Sequence, residues 1–347
     1  MFLKKTLMLF LLLTQLYAYD KEAADTQSAV VFMYHRFGES AYPSTNIKVE
    51  QFAFHLEYLQ KNDYNVWPLS KVIRYIIEKK PLPKKTVSLT IDDAYKSTYT
   101  HAYPMLKKKN FPFSVFVNTA PVDQKSKSFM SWDQIREMRQ NGAEFLNHSF
   151  SHDYLIPKKG ESEDGWKKRI GDEVQKAQKR LQEELGSDTN ENPKILSYPF
   201  GEYSEQSAEL IASLGYIGVT QASGVMGHES DLKALCRFPM AEDFAHAESF
   251  ITKLNTLPLP VESVHPFDPL LKAENPPTLR IKLKRPLSQL GCYIASGEAI
   301  KVHWISQTEF EVRANRPLEA PRNRYACTAP AGEGKWYWFS HLWIINE

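Results

Sequence analysis

The sequence predicts an α/β fold, a mainly parallel sheet covered by helices and followed by a small β-sandwich. Three observations carry this. From Ala29 to Val219, short apolar runs alternate with amphipathic segments, the signature of repeated βα units. Beyond residue 277 the texture changes to short strand-like runs separated by Gly, Pro and Asn turns. With 347 residues, 42% of them hydrophobic and 24% charged, the chain is long enough for two cores and too apolar to be disordered.

The strands expected in the first part are Ala29–Tyr34, Val87–Ile91, Ser114–Val117, Glu144–Asn147, Ile195–Tyr198 and Gly218–Thr220, each short and carrying β-branched or aromatic residues. Between them, Phe52, Leu56 and Leu59 share one helical face, and Ile170, Val174, Ala177, Leu181 and Leu185 form a longer stripe. Such stripes suit helices covering a parallel sheet; a partner-binding helix is the other reading. Six prolines between Leu257 and Pro277 block regular helix and suggest an extended linker, residues 257–277, or an irregular edge of the first domain, residues 28–256. Strands are then expected at Leu279–Leu283, Ala299–Ile305, Glu309–Ala314, Tyr325–Thr328 and Trp336–Ile345, giving a sandwich over residues 278–347. Within the last, Trp336 and Trp338 should share one face and Tyr337 the other, with core packing weighed above a sugar-binding face.

The N-terminus places Lys4 and Lys5 before an apolar run from Leu7 to Leu13 and a small residue at Ala18, the form of a signal peptide covering residues 1–18. That run falls short of the roughly 20 residues that span a bilayer, so no stable membrane span is expected after cleavage. Export to a periplasm or the cell exterior follows. It also changes how the three cysteines read, because an oxidising compartment favours pairing. Cys292 with Cys327 is the preferred bridge among three pairings that sequence leaves open, and no C-x-x-C spacing suggests a thiolate metal site. The 43 basic and 41 acidic residues leave a net charge of +2, too balanced to indicate nucleic-acid binding. Lys4 and Lys5 account for that excess, so the chain without residues 1–18 would be neutral.

Three short constellations each follow an expected strand, where α/β folds place their sites. The first is Thr90-Ile91-Asp92-Asp93, whose adjacent carboxylates could divide into a base and a metal ligand, although such a pair is also ordinary turn chemistry. The second is His148-Ser149-Phe150-Ser151-His152, whose spacing of four puts both imidazoles on one face if the segment is helical. Asp93 would complete an Asp-His-His set that leaves positions for water and substrate, as a catalytic metal site requires. The third, Ser197-Tyr198-Pro199-Phe200-Gly201, is by itself only a turn.

In this order the three motifs resemble those of the polysaccharide deacetylases that share the NodB homology domain, carbohydrate esterase family 4, over Ser28 to Met240. The resemblance implies a NodB-type distorted (β/α) barrel. It also implies that Asp92 is the general base and that Asp93, His148 and His152 hold a divalent metal, usually zinc. Thr90 and Ser149 would brace these ligands. Tyr198, Pro199 and Gly201 would form one wall of the substrate groove.

The departures from the family pattern are informative. Ser197 stands where an Arg that steadies the base is common, Ala94 replaces a Gly, and no late Leu-x-His motif supplies an acid; His228 is the nearest candidate but lacks that context. These losses are similar to those of secreted deacetylases of poly-β-1,6-N-acetylglucosamine, in which the motif order is permuted and an N-terminal His is the acid. His35, in Met33-Tyr34-His35-Arg36, fits that place, and Arg237 could substitute for the missing Arg; capping and surface roles remain open for both. The reaction implied is hydrolysis of an N-acetyl group on a polysaccharide, releasing acetate, with the oxyanion stabilised by the metal and the backbone N–H of Tyr95. Tyr198, Phe200, Tyr203 and Trp132 are candidates to stack on sugar rings, with core packing expected for at least two of them. A non-catalytic binding module and an O-acetyl esterase on the same fold are the alternatives.

Overall fold

The structure is a computed structural model that describes residues 27–186, 192–272, 274–287 and 289–345. The expected signal peptide, residues 1–18, lies outside the described residues.

The first sheet is built from β1 (Ser28–Tyr34), β4 (Asn65–Val66), β5 (Thr86–Ile91), β6 (Ser114–Val117), β7 (Glu144–Asn147), β8 (Lys194–Ser197), β9 (Tyr216–Val219), β10 (Met226–Gly227) and β11 (Phe238–Pro239). Its main path runs β10-β1-β5-β6-β7-β8-β9, with every step from β1 to β9 parallel and β10 antiparallel to β1. A small parallel pair, β2 (Arg36–Phe37) with β3 (Asn46–Ile47), follows β1. β1 and β5 are buried at every position, the pattern of strands covered on both faces.

The covering helices include α1 (Val49–Lys61), α2 (Leu69–Ile77), α3 (Tyr103–Lys108), α4 (Thr119–Asp123), α5 (Trp132–Gln140), α6 (Glu163–Leu185), α7 (Glu205–Ser213) and α8 (Ala247–Leu254). Helix α6 starts where the Ser162 hydroxyl accepts from the Gly165 N–H, satisfying one of the donors a helix start leaves free. It buries Ile170, Val174, Ala177 and Leu181, and α1 buries Phe52, Leu56 and Leu59, as their spacing predicts.

The barrel is closed by a short segment rather than by a full strand. Leu235 bridges to Val219 at the end of β9, and three residues later Phe238 pairs with Phe32 of β1. Residues 235–239 therefore stitch the two free margins of the curled sheet together. Arg237 lies at the centre of that stitch.

The C-terminal strands are β12 (Thr256–Pro258), β13 (Val261–His265), β14 (Thr278–Leu283), β15 (Gly291–Ile294), β16 (Ala299–Ile300), β17 (Val302–Trp304), β18 (Glu309–Arg313), β19 (Arg322–Gly332) and β20 (Lys335–Ile344). They form two sheets, β12-β20-β19-β15-β16 and β13-β14-β18-β17, sharing one core that includes Leu279, Ile281, Phe310, Val312, Tyr325 and Trp343. This is the expected sandwich. Cys292 and Cys327 are cross-strand partners on β15 and β19 and form a disulfide. Tyr337 is buried and Trp336 exposed, in keeping with alternation along β20.

Three expectations need correction. The proline-rich stretch 257–277 is not a free linker: it carries β12 and β13, and Leu257 and Leu259 are buried in the sandwich core. Its prolines sit at strand ends or between strands, where no ladder donor is required. Ala299–Ile305 is two strands, not one, because the chain crosses between sheets after Ile300. The strand expected at Gly218–Thr220 is Tyr216–Val219, starting two residues earlier and ending one earlier.

Candidate active site

The site lies at the C-terminal ends of β1, β5, β7 and β8. Asp92 and Asp93 directly follow β5, and the Asp92 N–H bonds the Tyr34 carbonyl at 2.8 Å, which pins the turn to the end of β1. Asp93 and Ala94 then adopt φ values of 73° and 55°. This left-handed step points consecutive carboxylates in different directions, a conformation that Asp tolerates better than most residues.

Asp92 is fully buried and gripped from both sides. Arg237 donates through Nη1 to Oδ1 at 2.7 Å and through Nη2 to Oδ2 at 2.8 Å, and the Ser197 hydroxyl donates to Oδ2 at 3.2 Å. Arg237 is itself buried, with Nε donating to the Thr220 carbonyl at 3.1 Å and Nη1 to the Thr90 hydroxyl at 3.0 Å. Burial alone would push the Asp92 carboxyl up, but Arg237 holds it below the usual carboxylate range.

Asp93, His148 and His152 converge. Both imidazole Nε2 atoms stand 3.1 Å from Asp93 Oδ1. Neither contact has hydrogen-bond geometry, so Asp93 Oδ1 and His148 Nε2 are buried polar atoms without a hydrogen-bond partner. Such orphans are costly unless a ligand satisfies them. His148 Nδ1 donates to the Ser197 carbonyl at 2.8 Å, which fixes the tautomer and leaves the Nε2 lone pair facing Asp93. One carboxylate and two imidazoles within 4.8 Å of one another fit a divalent cation, and zinc suits these donors.

The two histidines do not sit on one helical face. They lie on a loop after β7 in which Ser149 and His152 take φ values of 64° and 66°. The Asn147 carboxamide accepts from the Ser149 N–H at 2.9 Å, and the Ser149 hydroxyl accepts from the His152 N–H at 3.1 Å. Ser149 thus braces the loop, as the resemblance implied, while the helical premise fails because side-chain acceptors compete with helix formation here.

His35, at the end of β1, is half-buried and faces this cluster. Burial pushes its imidazole down, while Asp93 and Asp92 pull it back up. Tyr95 presents its side chain: the Arg36 guanidinium lies 3.4 Å above its ring and 3.9 Å from that of Tyr42. Burial and Asp93 raise the Tyr95 hydroxyl to about 12.

The third motif forms a short 3-10 turn, Pro199–Gly201. Phe200 has φ 59° and places its ring 4.5 Å from that of His152 and 4.4 Å from that of Tyr154, on which it stacks. Gly201 has φ 73°, and a Cβ there would come within 2.7 Å of the Gln221 backbone nitrogen, so only glycine fits. Tyr198 corrects the expectation of a groove wall: it is fully buried and its hydroxyl donates to the Lys233 carbonyl at 2.9 Å. Tyr203 is also core, and Trp132 donates Nε1 to Asp123 at 2.8 Å. Of the four aromatic candidates, Phe200 is the one beside the histidines. His228 donates Nε2 to the Lys80 carbonyl at 3.0 Å.

Arg36 and Tyr154 went unread in the sequence. Nothing in a lone Arg after a His, or a Tyr two residues after a motif, marks either one.

Known proteins are similar to this chain over the barrel. Residues 79–219 match the sequence family described as polysaccharide deacetylase. The chain is 26% identical over 211 residues, 60% of this chain and 69% of the other, to the Bacillus subtilis (strain 168) protein YxkH, which bears that activity only as a provisional name. It is 26% identical over 229 residues to the poly-beta-1,6-N-acetyl-D-glucosamine N-deacetylase of Escherichia coli (strain K12), covering 56% of this chain and 33% of that one. The chain thus spans about a third of that relative's length. Among solved structures, IcaB from Ammonifex degensii superposes with a TM-score of 0.55 at 25% identity, over 66% of this chain and 97% of that one. The stretch that matches the polysaccharide deacetylase family, residues 79–219, carries Asp92, Asp93, His148 and His152, and the chain is similar to proteins of that family.

Proposed function

We propose that this protein removes N-acetyl groups from an N-acetylglucosamine-containing polysaccharide, with β-1,6-linked poly-N-acetylglucosamine as the first candidate. The observation that carries the reading is the adjacency of two carboxylates with opposite surroundings. Asp92 is locked to a cation of the protein, while Asp93 shares an unsatisfied pocket with two imidazoles.

Asp93, His148 and His152 would hold a divalent cation, zinc first, which supplies polarisation of the acetyl carbonyl and acidification of a water. Asp92, kept ionised by Arg237, takes the proton from the attacking water. Ser197 and Thr90 hold Arg237 in the plane that makes this possible. His35 gives a proton to the departing amine nitrogen, and the backbone N–H of Tyr95 stabilises the oxyanion. The acetamide C–N bond breaks, a C–O bond to water's oxygen forms, and acetate and a free amino sugar result.

Export to a periplasm or the exterior is part of the proposal, and the Cys292–Cys327 disulfide supports it, since such bonds persist in oxidising compartments. A neutral polymer also suits a chain whose charges balance. The test is acetate release across β-1,6 and β-1,4 N-acetylglucosamine oligomers and peptidoglycan, each with and without chelator. Chelator-sensitive release greatest on the β-1,6 oligomers is expected. Release from none of them would refute the proposal.

A further inference from the structure

We propose that Arg322, a residue of the C-terminal sandwich, positions the aromatic wall of the barrel's site, so that the sandwich acts as a brace for catalysis. The proposal rests on the deacetylase reading above. Arg322 opens β19, in the sheet that also contains β12 and β20. From there its side chain reaches the third-motif turn of the barrel. Nη1 donates to the Phe200 carbonyl, and Nε lies 3.3 Å from Glu202 Oε1.

The turn it reaches is one that needs holding. Phe200 sits at φ 59° and ψ 1°, the left-handed region, which is unfavourable for a residue with a Cβ. Strained conformations of this kind persist only when their surroundings over-determine them. Inside the turn, the Gly201 N–H bonds the Tyr198 carbonyl at 2.8 Å and the Glu202 N–H bonds that of Pro199 at 3.2 Å. Gln221 closes in from one side at Gly201, and Arg322 fixes the Phe200 carbonyl from the sandwich side.

The strain has a use. In this conformation the Phe200 ring lies against His152 and Tyr154, and Tyr154 is 41% exposed, so the pair forms an aromatic edge beside the ligand cluster. A sugar ring next to the reacting acetamide would pack there through its C–H face. Glu202 gives Arg322 a second foothold. It is 4% exposed, burial raises its carboxyl, and the Arg322 charge opposes that rise.

Arg322 is a positioning residue, since it touches Phe200 and Glu202 rather than the ligand cluster. Its loss should weaken binding of sugar before and during the reaction alike, which raises KM and spares kcat. For Arg322→Ala, KM for an N-acetylglucosamine oligomer should rise on the order of tenfold with kcat within about twofold. Metal content should be unchanged, and amide hydrogen exchange over residues 198–204 should quicken. Arg322→Lys should recover part of each effect. The double variant Arg322→Met with Glu202→Gln removes the uncompensated buried charge, and so keeps the test if the single variant folds poorly.

A raised KM and quickened exchange in the double variant support the brace. Recovery of both to wild-type values would overturn it, since Arg322 would then serve only to neutralise Glu202. Equal KM and exchange in wild type and Arg322→Ala would overturn it as well. Because exchange is read without turnover, a wild type that released no acetate but showed these exchange differences would refute the deacetylase reading and leave the brace standing.

Discussion

Arg237 grips both carboxylate oxygens of Asp92, at 2.7 and 2.8 Å, and both side chains are fully buried. The partners are 145 residues apart in sequence, and Arg237 comes from the segment that closes the barrel between β9 and β1. Closing the fold and ionising the proposed base are thus one structural event.

Arg237→Met should therefore do two things. Removing one partner of a buried ion pair typically costs about 3–5 kcal/mol, so the melting temperature falls. Protein that still folds has burial opposed only by His148 and His35, without the Arg237 charge that outweighed it, which raises the Asp92 carboxyl, so the acidic limb of the kcat/KM profile moves to higher pH. Arg237→Lys keeps the charge without the two-point grip and should shift the limb less. Kinetics across about pH 4 to 8 check this.

Asp93→Asn is the sharper probe of the cation cluster than Asp93→Ala. The backbone at Asp93 has φ 73°, which Asn tolerates and Ala does not, so the fold should survive while the charged ligand is lost. Bound metal should fall to background by elemental analysis, with activity lost in parallel. His148→Ala should behave alike. Full activity in either would contradict the ligand assignment.

Phe200→Gly should separate stability from function. Glycine relieves the left-handed strain, worth roughly 1 kcal/mol, but removes the ring that packs on His152 and Tyr154. An unchanged or higher melting temperature with a raised KM for oligomers is expected. A wild-type KM would place the sugar elsewhere.

His55 and His341, neither of them in the ligand cluster, predict an acid-sensitive fold. Burial pushes both imidazoles down to about 3, from the usual 6.5. The folded state thus favours the neutral rings. Their contribution is complete above pH 6.5, where both states are neutral, and is lost as pH falls from 6.5 towards 3 while the unfolded chain gains protons. By pH 5 the loss is about 2 kcal/mol for each. His55 stacks on Phe250 at 3.9 Å and bonds the Ala245 carbonyl at 2.9 Å. His55→Gln should start less stable at pH 7 but decline less on acidification, as denaturant titrations at each pH would show.

The Cys292–Cys327 bridge closes a separation of 35 residues, which in the chain-entropy picture contributes about 3–4 kcal/mol. Replacing both by alanine should lower the stability of the sandwich by that order while leaving metal binding in the barrel intact. Calorimetry with metal analysis would detect either departure.

Much of this was legible in the sequence because it rests on local rules. The barrel strands show as apolar runs, and the motifs at their ends mark Asp92, Asp93, His148 and His152. What failed rests on side chains competing for the local backbone and on distant contacts. The loop that brings His148 and His152 together depends on Asn147 and Ser149 side chains outcompeting a helical turn. Tyr198 belongs to a groove motif, yet its ring is captured by the core and by the Lys233 carbonyl. Prolines between residues 257 and 277 suggested a linker because proline blocks helices, but strand ends accept it equally well. Arg237 was readable only as a candidate, since nothing local shows a segment stitching β9 to β1.

The central claim is that an Asp-His-His cation and an Arg-locked Asp92 together deacetylate a sugar polymer. The most direct measurement is stoichiometric acetate and free-amine release from β-1,6-linked N-acetylglucosamine oligomers by wild type and Asp92→Asn, each with its metal content determined. Equal metal in both proteins, with equimolar acetate and amine from the wild type and a loss of at least about 100-fold in the variant, is the predicted result. Comparable release by Asp92→Asn, or undiminished release by a wild type stripped of metal, would contradict it.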